Sequence, residues 1–206
     1  MAGAGDRRAA SVRVRLLPHA ANPFAGAVSV DIQSVGSDLQ LIWEMHAHEP
    51  LVRPPTMGER GQRRDGLWRH TCGELFALDP QCPGPYLEFN FSPADAWAAY
   101  RFDGPRRGMR AHDWGGAPLI MTEPLSAHEA TTGDGLRLRV TLSLQACGSC
   151  LAFAPTAVLE TAAGHGYFAL RHPAGAPDFH GGAAGEGNLA AALELTTTRG
   201  RDGGCQ

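Results

Sequence analysis

The sequence contains no lysine, and all 18 of its positively charged residues other than histidine are arginine. Chemistry that needs a lysine, such as Schiff-base formation, is therefore excluded. Long apolar runs are also missing, since no window approaches the roughly 18 uninterrupted apolar residues of a transmembrane helix. The net charge of −3 gives no electrostatic reason to expect a nucleic acid or an anionic membrane as a partner.

The first 19 residues lack the apolar stretch of about 7 to 15 residues that a secretory signal peptide needs. We therefore expect a soluble, cytoplasmic protein. The five cysteines lie at positions 72, 82, 147, 150 and 205. In a reducing compartment most of them would be free and buried, so a disulfide framework is not expected.

Glycine and proline are abundant, with 26 and 15 of the 206 residues, which is typical of short strands joined by turns. Residues 12–16 and 136–144 alternate apolar and polar side chains, as half-buried strands do. About ten strands are expected in all, and residues 189–195 fit either the last strand or a helix. The sequence predicts an all-β, antiparallel two-sheet β-sandwich of jelly-roll type over residues 9–196, with flexible termini at 1–8 and 197–206.

Three central strands are predicted at residues 71–78, 86–91 and 96–102. Each has one charged residue near its middle, and these are Glu74, Glu88 and Arg101. Because consecutive strands are often neighbours in a sheet, we expect the three side chains to converge on one sheet face. The other side chains expected near that face are Trp68, Tyr86, Asn90 and Trp97. Aromatic rings beside charged hydrogen-bonding groups suit a sugar, which has apolar C–H faces and a rim of hydroxyls.

A simpler interpretation of the same pattern is an outward face that is polar because water covers it. Glu74, Glu88 and Arg101 would then be solvated or would form a weak surface ion pair. The protein would in that case be a structural or protein-interaction domain.

Four blocks of the sequence together resemble the bacterial DOMON-like domains. They are GLWRHTCGELF at 66–76, YLEFNFSP at 86–93, WAAYRFD at 97–103 and LRHPAGAPDFH at 170–180. These domains are related to the family 9 carbohydrate-binding modules, and some are attached to UDP-N-acetylmuramate dehydrogenase-like proteins. The resemblance covers most of the chain in order and implies a jelly-roll β-sandwich that binds a ligand.

The resemblance also implies roles for individual residues. Trp68 and Glu74 match a tryptophan and a glutamate of the sugar-binding branch, and Arg101 matches an arginine on a later strand. That branch holds its sugar between two tryptophans, and the candidates for the second are Trp43, Trp97 and Trp114. Gly73 departs from the larger apolar residue of close relatives and is expected to open space beside Glu74.

The sequence leaves metal and haem sites open as alternatives. The wider family includes haem-binding domains, for which the candidate ligands are Met45, His46 and Met109. Two groups contain residue types that bind transition metals: His46, His48 and Glu49, and His172, Asp178 and His180. Core packing is the commoner role for a methionine such as Met45, and turn capping is the commoner role for a residue such as Asp178.

Enzymatic alternatives are weaker. Cys147 and Cys150 have a redox-type spacing but no second cysteine pair, and Cys72 has His70 nearby but no orienting acid. Glu74 and Glu88 provide the two carboxyl groups that a glycosidase needs, although a neighbouring Arg101 would lower the pKa of both.

We therefore predict a non-enzymatic module that binds a small molecule, most simply a carbohydrate or sugar derivative, on a concave sheet face. No catalytic residue, metal site or cofactor is predicted. The predicted ligand-binding residues are Trp68, Glu74, Glu88, Asn90, Trp97, Arg101, Asp178 and His180.

Overall fold

A computed structural model describes residues 11–53, 60–82, 84–126, 133–148, 152–181 and 187–195. The described residues form an all-β fold, as the sequence predicts, with thirteen strands and three short 3₁₀ turns. Ten of these strands have six residues or more, which matches the number expected, and the other three have two residues each. The predicted flexible termini lie outside the described residues.

The strand boundaries are as follows. They are β1 Ser11–Pro18, β2 Gly26–Val35, β3 Asp38–Ala47, β4 Gln62–Arg63, β5 Cys72–Leu78, β6 Tyr86–Ser92, β7 Ala96–Phe102, β8 Arg110–Ala111, β9 Leu119–Pro124, β10 Asp134–Ser143, β11 Ala152–Thr161, β12 Gly164–Ala169 and β13 Leu193–Glu194. The 3₁₀ turns are Leu67–Arg69, Leu144–Cys147 and Leu189–Ala191. The region predicted as a last strand or a helix is thus a 3₁₀ turn followed by the short β13.

The strands form one continuous, curled sheet in the order β4-β7-β6-β5-β11-β12-β1-β2-β3-β10-β9. The described pairs are antiparallel except for β4 and β7, which are parallel. Strand β1 joins the two halves of the sheet: it pairs with β2 along most of its length, and with β12 only at Leu17 and Pro18. The first half contains β1, β2, β3, β10 and β9, and the second half contains β4, β7, β6, β5, β11 and β12.

The main hydrophobic core lies between the two halves. Alternation along β10 sends Leu136 and Val140 into this core, with Leu144 at the following turn, and all three are buried. Trp43 of β3 is fully buried there, and its indole N–H donates a 3.0 Å hydrogen bond to the backbone carbonyl of Thr156 on β11. The core therefore ties the first half of the sheet to the second.

A second hydrophobic cluster covers the opposite face of the second half. It contains Phe76, Phe102, Phe179 and Leu189. Residues 171–181, called the strap below, cross this face, so β5 and β6 are buried on both sides. The face that carries Glu74 is therefore an interior surface, whereas the simpler interpretation of the sequence made it a solvated one.

Two further expectations concern cysteines and membranes. Cys72 and Cys147 are buried thiols, as expected of most of the cysteines, whereas Cys82 is disulfide-bonded. Within the described ranges, no helix has the length and apolar character needed to cross a membrane. The cytoplasmic location remains a prediction.

Candidate functional site

A pocket of about 320 Å³ lies between the second half of the sheet and the strap. Its floor contains the side chains of Glu74 and Glu88. Four aromatic residues line its walls: Trp68, Phe102, Tyr167 and Phe179. The pocket therefore combines acidic groups with apolar ring surface, which is the composition expected of a small-molecule site.

Glu74 lies in the middle of β5 and is 2% exposed. Its Oε2 accepts a 2.9 Å hydrogen bond from the hydroxyl of Thr156, and its Oε1 lies 3.6 Å from the Cys72 thiol, which donates to it. Burial, together with the negative charge of Glu88, raises the pKa of Glu74 to about 8, against the lowering effect of the two hydrogen bonds. Glu74 is therefore a carboxyl group that changes charge near neutral pH.

Glu88 lies on β6, diagonally across from Glu74, because Phe76 is its direct partner on β5. It is 4% exposed, and its Oε1 accepts a 2.7 Å hydrogen bond from the side-chain amide of Asn90. Burial raises the pKa of Glu88 to about 7, and the amide of Asn90 and the charge of Arg106 oppose this rise. Both acidic groups of the floor thus have pKa values above the ordinary range.

His180 is the residue of the strap that contacts Tyr86 and Glu88 at the pocket. Its Nδ1 lies 2.7 Å from the hydroxyl of Tyr86, and its ring packs edge-on against Phe76. Its Nε2 lies 3.6 Å from Glu88 Oε2. Burial, followed by the charge of Arg106, lowers the pKa of His180 to about 4, so the ring is neutral at neutral pH.

Trp68 is placed by local backbone geometry. Gly66 has a φ of 81°, in the left-handed region that glycine tolerates, and the 3₁₀ turn begins directly after it. The turn sets the Trp68 ring edge-to-face against Tyr100 at 5.7 Å. The hydroxyl of Tyr100 donates a 2.6 Å hydrogen bond to Asp65. The ring against which Trp68 packs is therefore itself fixed in position.

Arg106 and Asp178 connect the strap to the loop after β7. The Arg106 guanidinium lies 2.8 Å from Asp178 Oδ1. Arg106 has a φ of 54°, which is uncommon for a residue other than glycine. Its backbone N–H also donates a 3.4 Å hydrogen bond to the hydroxyl of Tyr86. These contacts place Arg106 at the rim of the pocket.

The predicted convergence of Arg101 with the two glutamates is wrong. Arg101 is the direct partner of Leu87, which points into the main core, whereas Glu88 is the direct partner of Tyr100. Directly paired residues point to the same side of a sheet. Arg101 therefore lies on the face opposite Glu88, and its side chain is exposed.

Trp97 is also on the opposite face. Its ring packs against Trp114 at 4.9 Å in the main core, and its indole N–H donates to the carbonyl of Gly61 at 2.9 Å. Trp43 is part of the same core. Of the four tryptophans, Trp68 alone lines the pocket.

Gly73 makes room for the core and not for the pocket. A Cβ atom on Gly73 would lie 2.8 Å from Cδ2 of Trp43. The indole ring thus occupies the space that the missing side chain leaves, on the side of β5 away from Glu74. The expectation that Gly73 opens space beside Glu74 is wrong.

The other predicted site residues are brought together. The pocket lining includes Trp68, Glu74, Glu88 and His180, while Asn90 lies behind Glu88 and Asp178 holds Arg106 at the rim. Sequence reasoning missed several contributors, among them Thr156, Arg106 and Phe179. Phe179 lies within the matched block at 170–180, whereas Arg106 lies in a loop without periodicity and gave no signal.

The residues considered for haem, metal and nucleophile chemistry lie in several places. Met45 is fully buried in the main core, away from the pocket, whereas Met109 lines the pocket. Across the described parts of the chain, no three His, Cys, Asp or Glu side chains are grouped closely enough to hold a metal ion. His70 pairs with Glu160 at 2.8 Å, and the thiol of Cys72 donates to Glu74 instead of facing a base.

No family model matches the chain, and neither does any curated protein or solved structure.

Proposed function

We propose that the protein is a ligand-binding module whose pocket holds a small sugar or sugar derivative. One observation carries this proposal: buried acidic groups on the pocket floor face a space walled by aromatic rings. Glu74 and Glu88 offer oxygen atoms to hydroxyl groups of a ligand, while Trp68 and Phe179 offer flat apolar surface to its C–H faces. The pocket volume of about 320 Å³ suits a small ligand.

The resemblance to DOMON-like domains supports the same function, and the jelly-roll β-sandwich that it implies is part of the proposal. Two halves of a curled sheet with the main core between them are compatible with that arrangement. The site lies on the covered outer face of one half, beneath the strap. Two buried carboxyl groups can hold the hydroxyl groups of a ligand without any chemical step, so we propose binding without catalysis.

Isothermal titration of the purified protein with neutral monosaccharides, amino sugars and nucleotide sugars tests the proposal. We expect one sugar class to bind, and we expect Glu74→Gln to weaken that binding while the protein stays folded. Glu123→Gln is the matched control, because Glu123 lies on β9 and pairs with Arg137 and Arg139 on the outside of the first half. The absence of binding by every sugar class would contradict the proposal.

A second candidate function is glycoside hydrolysis, and the position of Arg101 favours it. Arg101 lies on the other face of β7, so it does not lower the pKa of the two glutamates. Burial instead raises both values, to about 8 for Glu74 and about 7 for Glu88, which supplies a protonated acid at neutral pH. Turnover of aryl glycosides that Glu74→Gln and Glu88→Gln each abolish would establish this activity, and binding without turnover would exclude it.

A further inference from the structure

With Glu74 and Glu88 ionised, the floor of the pocket has more free hydrogen-bond acceptors than donors. Glu88 Oε2 has the His180 ring 3.6 Å away, which is too long for a hydrogen bond. Asn90 is fully buried, and its Oδ1 has no hydrogen-bond partner among the described residues. Asn90 is the direct strand partner of Glu74 and donates to Glu88, so its amide lies beside both acidic groups. Glu88 lines the pocket, so its Oε2 is the buried acceptor that a ligand bringing donors would satisfy.

We propose that the pocket selects sugars that carry a free, protonated amine, with the ammonium group held by Glu74 and Glu88. This inference rests on the proposed sugar-binding function and adds the chemical class of the sugar. An ammonium group has three N–H donors and no acceptor, which matches a floor rich in acceptors. Its positive charge also offsets the cost of burying an ionised carboxylate.

The surroundings favour an organic cation over a metal ion. Calcium and magnesium need six or more oxygen ligands, including waters. The walls of this pocket are the rings of Trp68, Phe102, Tyr167 and Phe179, and aromatic faces attract organic ammonium groups. A sugar with an amine places its ring carbons against these walls and its charge on the floor.

The protein supplies little positive charge inside the pocket. His180 is neutral, and the one guanidinium of the lining belongs to Arg106, which lies at the rim and is paired with Asp178. The titratable groups that face the two glutamates are Cys72, Tyr86, Arg106, Tyr167, Asp178 and His180. Burial raises the pKa of Cys72 and of Tyr86 and lowers that of His180. The pKa values of Glu74 and Glu88 are raised to about 8 and about 7, close to neutral pH.

Ammonium binding also has a proton signature. An ammonium group on the floor favours the ionised form of both glutamates, so binding near neutral pH releases protons. The affinity for such a ligand therefore rises from about pH 5.5 to about pH 7, while the affinity for a neutral sugar lacks this rise.

Isothermal titration of the full chain with matched sugars tests the inference. The ligands are glucosamine, galactosamine and mannosamine, each compared with its parent hexose and its N-acetyl form. We expect one free hexosamine to bind about tenfold or more tightly than both of its neutral counterparts, because a hydrogen bond to a charged group is stronger than one between neutral groups. The binding enthalpy should depend on the ionisation heat of the buffer, which reports proton release. Glu88→Gln should remove the preference, and Glu123→Gln should keep it.

The outcomes separate this inference from the proposed function. A parent hexose that binds as tightly as its hexosamine would overturn the ammonium site and leave sugar binding intact. Binding of cyclohexylamine without binding of any hexose would support the ammonium site and overturn the sugar function. A Glu88→Gln variant that keeps the preference would overturn the ammonium site, as would a failure of every amine to bind.

Discussion

The hydroxyl of Thr156 on β11 donates a 2.9 Å hydrogen bond to Glu74 on β5, and both side chains are buried. Thr156→Val removes this donor with almost no change in shape. We expect the free energy of unfolding to fall by about 1 to 3 kcal/mol, because a buried acceptor loses its partner. Urea denaturation measures the change. Thr141→Val on the outward side of β10 is the control, and an equal loss in both variants would contradict a specific role for the Thr156 hydroxyl.

The two buried glutamates make stability depend on pH. Their pKa values in the folded protein, about 8 for Glu74 and about 7 for Glu88, lie above the unfolded value of 4.5. The folded state therefore binds more protons than the unfolded state, and stability falls as pH rises between these values. The lowered pKa of His180, about 4, has the opposite effect, but only up to the unfolded value of 6.5.

Between about pH 6.5 and about pH 8 the effect of the glutamates is unopposed by His180. We expect the Tm to fall by a few degrees over this interval. Differential scanning calorimetry measures the change, and the double variant Glu74→Gln with Glu88→Gln should show a flatter profile. A wild-type Tm that stays level or rises across the interval would contradict this prediction. It would show that Glu74 and Glu88 ionise in the folded protein without loss of stability.

Gly73 and Trp43 fit together closely enough that a single methyl group should matter. The Cβ atom of an alanine at position 73 would lie 2.8 Å and 2.9 Å from two atoms of the Trp43 indole ring. We expect Gly73→Ala to lower the free energy of unfolding by about 1 to 3 kcal/mol through overpacking. In a Trp43→Leu background the same change should cost less, and equal costs in both backgrounds would rule out the clash.

The pKa of His180 should respond to the ion pair between Arg106 and Asp178. Burial is the largest cause of the low pKa of His180, the charge of Arg106 lowers this pKa further, and the charge of Asp178 raises it. Arg106→Gln should therefore raise the pKa of His180, and Asp178→Asn should lower it further. Nuclear magnetic resonance titration of the imidazole proton measures both. If the pKa of His180 moved in the same direction in both variants, the placement of Arg106 and Asp178 beside the ring would be contradicted.

The alternation of β6 was sufficient to predict which of its side chains turn away from the main core. Leu87 and Phe89 point into the main core, and Glu88 and Asn90 point to the other face, as expected. Alternation gives two sets of side chains for each strand, but it does not say which set of one strand adjoins which set of the next. Register decides this, and the register of β6 with β7 sets Tyr100, not Arg101, beside Glu88.

The strap explains why the register takes this form. A face covered by residues 171–181 favours rings such as Tyr100 and Phe102, and it disfavours an arginine without a partner. Nothing in the periodicity of the central strands shows that a segment some distance along the chain covers them. The residues of the floor were therefore predictable from local pattern, whereas the rim formed by Arg106 depends on a long-range contact.

The position of the strap in the chain also affects the order of synthesis. During translation, β5 and β6 leave the ribosome before residues 171–181 exist. A sheet of β5 and β6 without the strap would leave Glu74 and Glu88 facing water, where a carboxylate carries its charge without penalty. The floor becomes an interior surface only when the strap arrives and displaces that water. The pocket is thus completed only after the strap has been made, and a ribosome that stalls before that point would expose an acidic sheet face with no roof.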